Sequence, residues 1–137
     1  MKEISQRIVR DEGSALIIDY GYTTDLYGDT LQALHQHRFA DILENIGNQD
    51  LTSHVNFHTL KKIAHENQLN TALTTQGKFL RALGIDLRIQ QLLKSATLTQ
   101  KNELLSGTKR LISVDGMGEL FKVLAVSSAH LPPPIGF

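Results

Sequence analysis

The sequence predicts an α/β fold, and three observations lead to it. Ile4, Ile8 and Val9 recur at helical spacing among polar residues, and Gly13 follows as a C-terminal cap. Next comes the unbroken apolar run Ala15-Leu16-Ile17-Ile18, which ends in Asp19-Tyr20-Gly21-Tyr22. A run of that length with an acid and glycine at its tip suits a strand buried on both faces of a parallel sheet. Near the other end, residues 120–126 read as a second strong strand. Helix, glycine turn, buried strand and polar tip make half of a βαβ unit, and the tips of such strands are where α/β sheets bind ligands.

Between these strands the pattern changes several times. Residues 23–53 lose periodicity and read as a long loop holding His35, His37, Asp41 and Asp50, anchored by Leu31, Leu34 and Phe39. Long loops in compact domains are often functional. Phe57, Leu60, Ile63 and Ala64 then repeat at helical spacing behind Asn56, a residue suited to an N-cap, so a helix is expected to about Gln68. A short strand is expected at 71–75. Thr75 caps a helix carrying Phe79, Leu80 and Leu83 and stopped by Gly84; Asp86 caps the next, with Ile89, Leu92 and Leu93; Thr99 starts a third. Asp115-Gly116-Met117-Gly118 is a turn-rich break. The last ten residues, 128–137, contain three consecutive prolines and favour an extended, polyproline-like tail. No repeat or second domain is visible, so 1–137 is expected to form one region.

Composition narrows the function. Fourteen basic residues balance fourteen acidic ones, which argues against a nucleic-acid partner, since such proteins concentrate a basic excess on one face. The absence of cysteine excludes disulfides, thiolate metal sites and cysteine nucleophiles. No stretch approaches the roughly 20 apolar residues of a membrane span. With no signal pattern at Met1-Lys2-Glu3-Ile4-Ser5 either, the expectation is a cytoplasmic protein.

Three segments together resemble one family. They are Ala15-Leu16-Ile17-Ile18-Asp19-Tyr20-Gly21-Tyr22 followed by Gly28-Asp29-Thr30-Leu31-Gln32-Ala33 and His37; Asp50-Leu51-Thr52-Ser53-His54-Val55-Asn56-Phe57 followed by Thr75-Gln76, Phe79-Leu80 and Leu83-Gly84-Ile85; and Met117-Gly118 with Phe121-Lys122-Val123-Leu124. In order and spacing they are similar to the C-terminal region of the MidA-like class I methyltransferases, which include a mitochondrial protein-arginine methyltransferase of respiratory complex I assembly. Ile46-Gly47 stands where the family has Pro-Gly, and Asn56 where it has aspartate; asparagine and aspartate cap helices about equally, so the second change fits a capping role.

The resemblance implies late strands of a Rossmann-like sheet plus a helical insertion, incomplete without an N-terminal half. It implies S-adenosylmethionine as cofactor, a protein substrate such as a respiratory-complex subunit, and methyl transfer to arginine. The family binds its cofactor through a glycine-rich turn after the first strand; Gly13, Gly21 and Gly28 form no Gly-x-Gly turn between a strand and a helix, so no cofactor-binding residue is assigned. Residues 15–20 would be the fifth strand, flanked on one side by 71–75 and 119–127 and exposed on the other. An apolar open edge invites self-pairing, so the chain alone is expected to be poorly soluble or oligomeric and inactive. The competing expectation is a non-catalytic fragment, either a module that grips a partner with its helical hairpin or a degenerate remnant.

Candidate site residues follow. Asp19 and Tyr20 end a strand where ligands bind in such sheets, and a carboxylate there can hold a guanidinium through paired hydrogen bonds; alternatively Asp19 caps a turn. Gly21 reads as a tight-turn residue. His37, Asp50 and His54 match positions of the family pattern, as a proton acceptor or substrate-orienting groups, or as residues that hold loop shape. Gln76 reads as a polar anchor or a substrate contact. His35-x-His37 and His54-x-x-x-His58 have ligand-like spacing. An N-cap at Asn56 separates His54 from the helix face of His58, and no metal is assigned.

Overall fold

The computed structural model describes residues 1–24, 28–36, 38–132 and 134–137. Helix α1 (Lys2–Asp11) leads into strand β1 (Ser14–Tyr22). Glu12 and Gly13, both at positive φ (59° and 128°), reverse the chain between them. The main sheet has the order β5-β1-β7-β6, where β5 is Val55–Asn56, β6 is Asn70–Thr75 and β7 is Phe121–Ser127. The last strand in sequence therefore lies inside the sheet. It runs antiparallel to β1, from Ser14 opposite Ser127 to Tyr20 opposite Phe121. It also runs antiparallel to β6, from Asn70 opposite Ser127 to Thr75 opposite Lys122. Strands β1 and β6 are thus parallel to each other, with their carboxyl ends on the same side. This is the arrangement the resemblance implied for residues 15–20, 71–75 and 119–127.

Because neighbours across a ladder share a face, Ala15, Ile17, Leu73, Leu124 and Val126 all look the same way. They pack with Ile8 of α1 and with Phe57, Leu60 and Ala64 of helix α2 (Phe57–Glu66). Phe57, Leu124 and Val126 are completely buried. Asn56 caps α2 through its side-chain oxygen, which accepts from the Thr59 N–H at 2.9 Å, so asparagine performs here the capping its chemistry allows.

The opposite face behaves differently along its width. Val123 and Ala125 are closed off (0% and 4% exposed), whereas Leu16 and Ile18, their partners on β1, are 52% and 46% exposed. The expectation that β1 is buried on both faces is corrected. Among the described residues, cover on this side lies over β6 and β7, where Pro134 shares a small cavity with Ala72 and Ala125, and it leaves Leu16 and Ile18 open. On β1's outer edge β5 pairs in parallel with Gly21 and Tyr22 alone, so residues 14–20 carry no strand there among those described.

The remaining elements are helix α3 (Gln76–Ala82), helices α4 (Ile85–Leu93) and α5 (Leu98–Ile112), and the single turn α6 (Met117–Leu120). Two cap expectations are corrected. Gly84, not Asp86, precedes α4, and Thr97, not Thr99, starts α5 through a reciprocal box with Gln100. The long loop is corrected as well. It contains a second sheet, β3-β2-β4, built from Arg38–Ala40, Gln32–His35 and Asp50–Thr52. Strands of three or four residues are too short to register as alternation. The tail turns at Ala129–His130 and again at Ile135–Gly136, and Phe137 tilts against Phe79 at 5.2 Å.

Gly21 owes its identity to close approach rather than to a turn. A Cβ there would lie 2.1 Å from the Val55 carbonyl oxygen and 2.9 Å from the Phe57 ring. Gly21→Ala is therefore expected to push β5 off β1 and to cost about 1–3 kcal/mol, the usual range for overpacking. Urea denaturation with amide exchange at Val55 and Asn56 checks this; an unchanged midpoint with unchanged protection would refute it.

Candidate functional site

Ligand chemistry in a sheet of this kind belongs at the carboxyl ends of β1 and β6. Successive strand residues point to opposite faces, so Asp19 and Tyr20 separate. Tyr20 shares its face with Phe121, whose ring meets it edge-on at 5.6 Å and 84°. On its other side Tyr20 meets His54 at 5.7 Å and 68°. His54 stands between β4 and β5 and is held twice, from Thr30 just before β2 and from Gln32 at its start. Its backbone N–H donates to the Thr30 hydroxyl at 3.3 Å, and its Nε2 lies 3.4 Å from the Gln32 amide nitrogen. With the amide as donor, Nε2 accepts and the neutral ring carries its proton on Nδ1. The second sheet thus serves to carry Gln32 and Thr30 to His54 at the end of β1.

The other candidates lie apart from this pair. Asp19, half-buried, turns one carboxylate oxygen to the Tyr20 N–H at 2.8 Å, a local bond that leaves the second oxygen for another donor. Its neighbour across the ladder is Lys122. Asp50 opens β4 opposite Leu34 and is exposed. Gln76 is buried, and its amide donates to the Leu111 carbonyl at 2.9 Å, tying α3 to α5. His37 lies outside the described residues. His35 Nδ1 sits 2.9 Å from the Asn48 carbonyl, and His65 Nε2 is 2.9 Å from the Thr71 hydroxyl. Among the described residues no three His, Cys, Asp or Glu side chains converge as a metal site requires.

Gln32, Thr30 and Phe121 complete the Tyr20–His54 surroundings and were not singled out from sequence. Gln32 sits in a quoted motif as a polar residue between Leu31 and Ala33, which marks a strand but not its partner. A larger cavity among the described residues, 760 Å³, lies elsewhere, between α4 and α5, lined by Ile85, Ile89, Leu92, Leu104 and Leu111. It is largely apolar with Glu103 as its one ionisable group, so acid–base chemistry has more to work with at the strand ends.

With this geometry in view, the comparisons with known proteins become informative. A family model described as "Putative S-adenosyl-L-methionine-dependent methyltransferase" matches residues 1–75. The mitochondrial protein arginine methyltransferase NDUFAF7 of Danio rerio is 36% identical over 126 residues, covering 92% of this chain and 30% of that protein. The Drosophila melanogaster homolog of the same name is 37% identical over 142 residues, covering 98% and 32%. A crystal structure of an uncharacterized Burkholderia thailandensis protein superposes with a TM-score of 0.82 at 27% identity, over 96% of this chain and 37% of that one. Another Burkholderia thailandensis structure, solved with bound S-adenosyl-homocysteine, gives 0.75 at 27% identity, over 90% and 34%. The chain belongs to the MidA-like family of S-adenosylmethionine-dependent methyltransferases. It spans about a third of the length of the curated relatives it matches. The expectation of a cytoplasmic protein is corrected by these relatives, which are named mitochondrial. No helix among the described residues is long and apolar enough to cross a membrane.

Lys122, beside the strand ends, has a displaced titration. Partial burial lowers its pKa from the ordinary 10.5, and Glu119 offsets part of that. Between the lowered value and 10.5 the unfolded chain holds a proton that the folded chain has released, so stability rises with pH across that window. Replacing Lys122 by Met is expected to flatten this rise. Urea midpoints measured at increasing pH up to 10.5 check it, and parallel curves for the two proteins would exclude it.

Proposed function

We propose that this chain is the acceptor-side part of a mitochondrial S-adenosylmethionine-dependent protein arginine methyltransferase, acting on a protein such as a respiratory-complex subunit. The observation that carries the reading is the unfinished flank of β1. Leu16 and Ile18 face outward and the edge at 14–20 has no strand among the described residues, while the matched relatives are about three times as long. A sheet continuing across that edge would cover both.

The cofactor does not fit the residues present. Added Cβ atoms at Gly21, Gly77 and Gly118 would strike the chain's own backbone at 2.1, 2.7 and 2.4 Å, so these glycines pack chain against chain. Gly13, Gly28 and Gly84 sit in open turns with positive φ. None forms a strand–glycine turn–helix cradle, so the reading assigns cofactor binding to the remainder of the sheet.

What this chain's residues do is position the acceptor. Tyr20 and His54 form an aromatic wall at the strand ends against which a planar guanidinium can lie. Asp19, at the same strand end but on the opposite face, and Asp50 supply carboxylates to the acceptor polypeptide around that wall. His54, once its Nε2 exchanges the Gln32 amide for a guanidinium N–H, or His37, takes up the proton the guanidinium sheds. Gln76 is retained as a positioning residue for the helix that borders this edge. Methyl transfer to a positioned nitrogen depends chiefly on such orientation.

The test grafts this chain onto the Danio rerio relative in place of its matching third and measures transfer of labelled methyl to arginine. Transfer is expected, and Tyr20→Ala and His54→Ala should each lower kcat by about 100-fold with circular dichroism unchanged. By itself the chain should show no heat of binding with S-adenosylmethionine. Saturable cofactor binding by the chain alone, or full transfer by both variants, would sink the reading.

A further inference from the structure

On the face of the sheet opposite Tyr20, next to the same carboxyl edge, lies a cavity of about 400 Å³. Three lysines line it from three different elements: Lys61 of α2, Lys78 of α3 and Lys122 of β7. Lys122 directs its ammonium at the backbone carbonyls of Glu119 and Leu120. Among the described residues none of the three lysines has an ion-pair partner within 4.0 Å. Among the described residues Glu119 is the only acid in the lining, and its carboxylate accepts from the Thr75 hydroxyl at 3.3 Å. Three ammonium groups meet Glu119 in the lining and Asp19 across the ladder from Lys122, which leaves a net positive charge. Thr23 and Thr75 bring hydroxyl groups to the same cavity.

Like charges repel, so three lysines brought into one cavity are a cost unless something negative is placed among them. Ammonium and hydroxyl groups converging on one space make charge-assisted hydrogen bonds to an oxyanion. The location says which oxyanion. Lys122 follows Phe121, which touches Tyr20, and faces Asp19 across the ladder. A polypeptide crossing the edge of the sheet meets the Tyr20–His54 wall on one face and the lysines on the other. A chain passing over the edge from one face to the other covers the distance in about three extended residues, at about 3.4 Å each.

We propose that this cavity binds the carboxylate of an acidic residue about three positions from the methylated arginine, and so selects acidic polypeptide segments as substrates. The inference rests on the acceptor reading above, but its test does not require methyl transfer. The full chain, isotopically labelled, is titrated at low salt with three probes: a peptide carrying Arg and Glu three residues apart, the same peptide with Gln for Glu, and inorganic phosphate. The Glu peptide should shift the amides of Lys61, Thr74 and Lys78 saturably and bind about 10-fold more tightly than the Gln peptide. Lys78→Gln, an exposed position that leaves the fold intact, should erase most of that difference, and Lys101→Gln on the distant α5 should keep it. Equal binding of the two peptides, or a preference that survives Lys78→Gln, overturns the proposal. Phosphate that shifts the same amides without any gain for the Glu peptide also overturns it, making this a free-anion site. Transfer by the grafted enzyme without any acid preference would refute this inference alone, and acid preference without transfer would refute only the acceptor reading.

Discussion

Everything in this molecule hangs on where the final strand goes. β7 pairs with β1 over seven residues and with β6 over six, and it supplies Leu124 and Val126 to one core and Val123 and Ala125 to the other face. Both neighbours are parallel to each other and cannot bond directly across the space β7 fills. Without it α1 and α2 would cover two separate strands, and a two-stranded fragment buries too little to stand alone. Its position also sets the candidate site, because pairing Tyr20 with Phe121 and Asp19 with Lys122 decides which groups meet at the carboxyl edge.

That placement explains how much could be read from the chain and where reading stopped. Strands β1 and β7 and helix α2 were legible because each carries a dense local signal, an apolar run or apolar residues at helical spacing behind Asn56, while β6 was legible as a short threonine-rich segment around Ala72 and Leu73. Their order in the sheet came from the family resemblance, not from any periodicity. The second sheet was illegible because β2, β3 and β4 have four, three and three residues, and Phe39 and Leu51 are mostly exposed. Apolar residues there record strand geometry without burial, so pattern and core part company. The caps at Gly84 and Thr97 were missed for a smaller reason: Asp86 and Thr99 are equally plausible residues two positions on, and the choice depends on where the preceding turn ends.

The site divides along the same line. Asp19 and Tyr20 could be found from the strand-end rule, since a strand's tip is fixed by the strand. Their separation onto opposite faces follows from the same alternation that makes a strand. His54 came from the family pattern, yet its partners did not, because Gln32 and Thr30 reach it only through a fold that three-residue strands create. Gln76 illustrates the opposite difficulty: a glutamine beside an apolar helix reads as a contact or as an anchor, and only the Leu111 carbonyl 35 residues away gives its amide a partner.

The two faces of the carboxyl edge are chemically unlike, and this asymmetry suits an acceptor that is itself a polypeptide. The Tyr20 face is aromatic and uncharged apart from what His54 can gain, which favours a flat, weakly hydrated cation. The α2 face gathers lysines whose mutual repulsion an acid would relieve. A small diffusible substrate would touch one face or the other. A chain drawn across the edge engages both, and the energy gained on the lysine side is spent holding the reacting group on the aromatic side, where orientation limits the chemistry. Placing charge recognition one strand residue away from the aromatic wall, and on the reverse of the sheet, also keeps the lysines from repelling the cation they help to deliver.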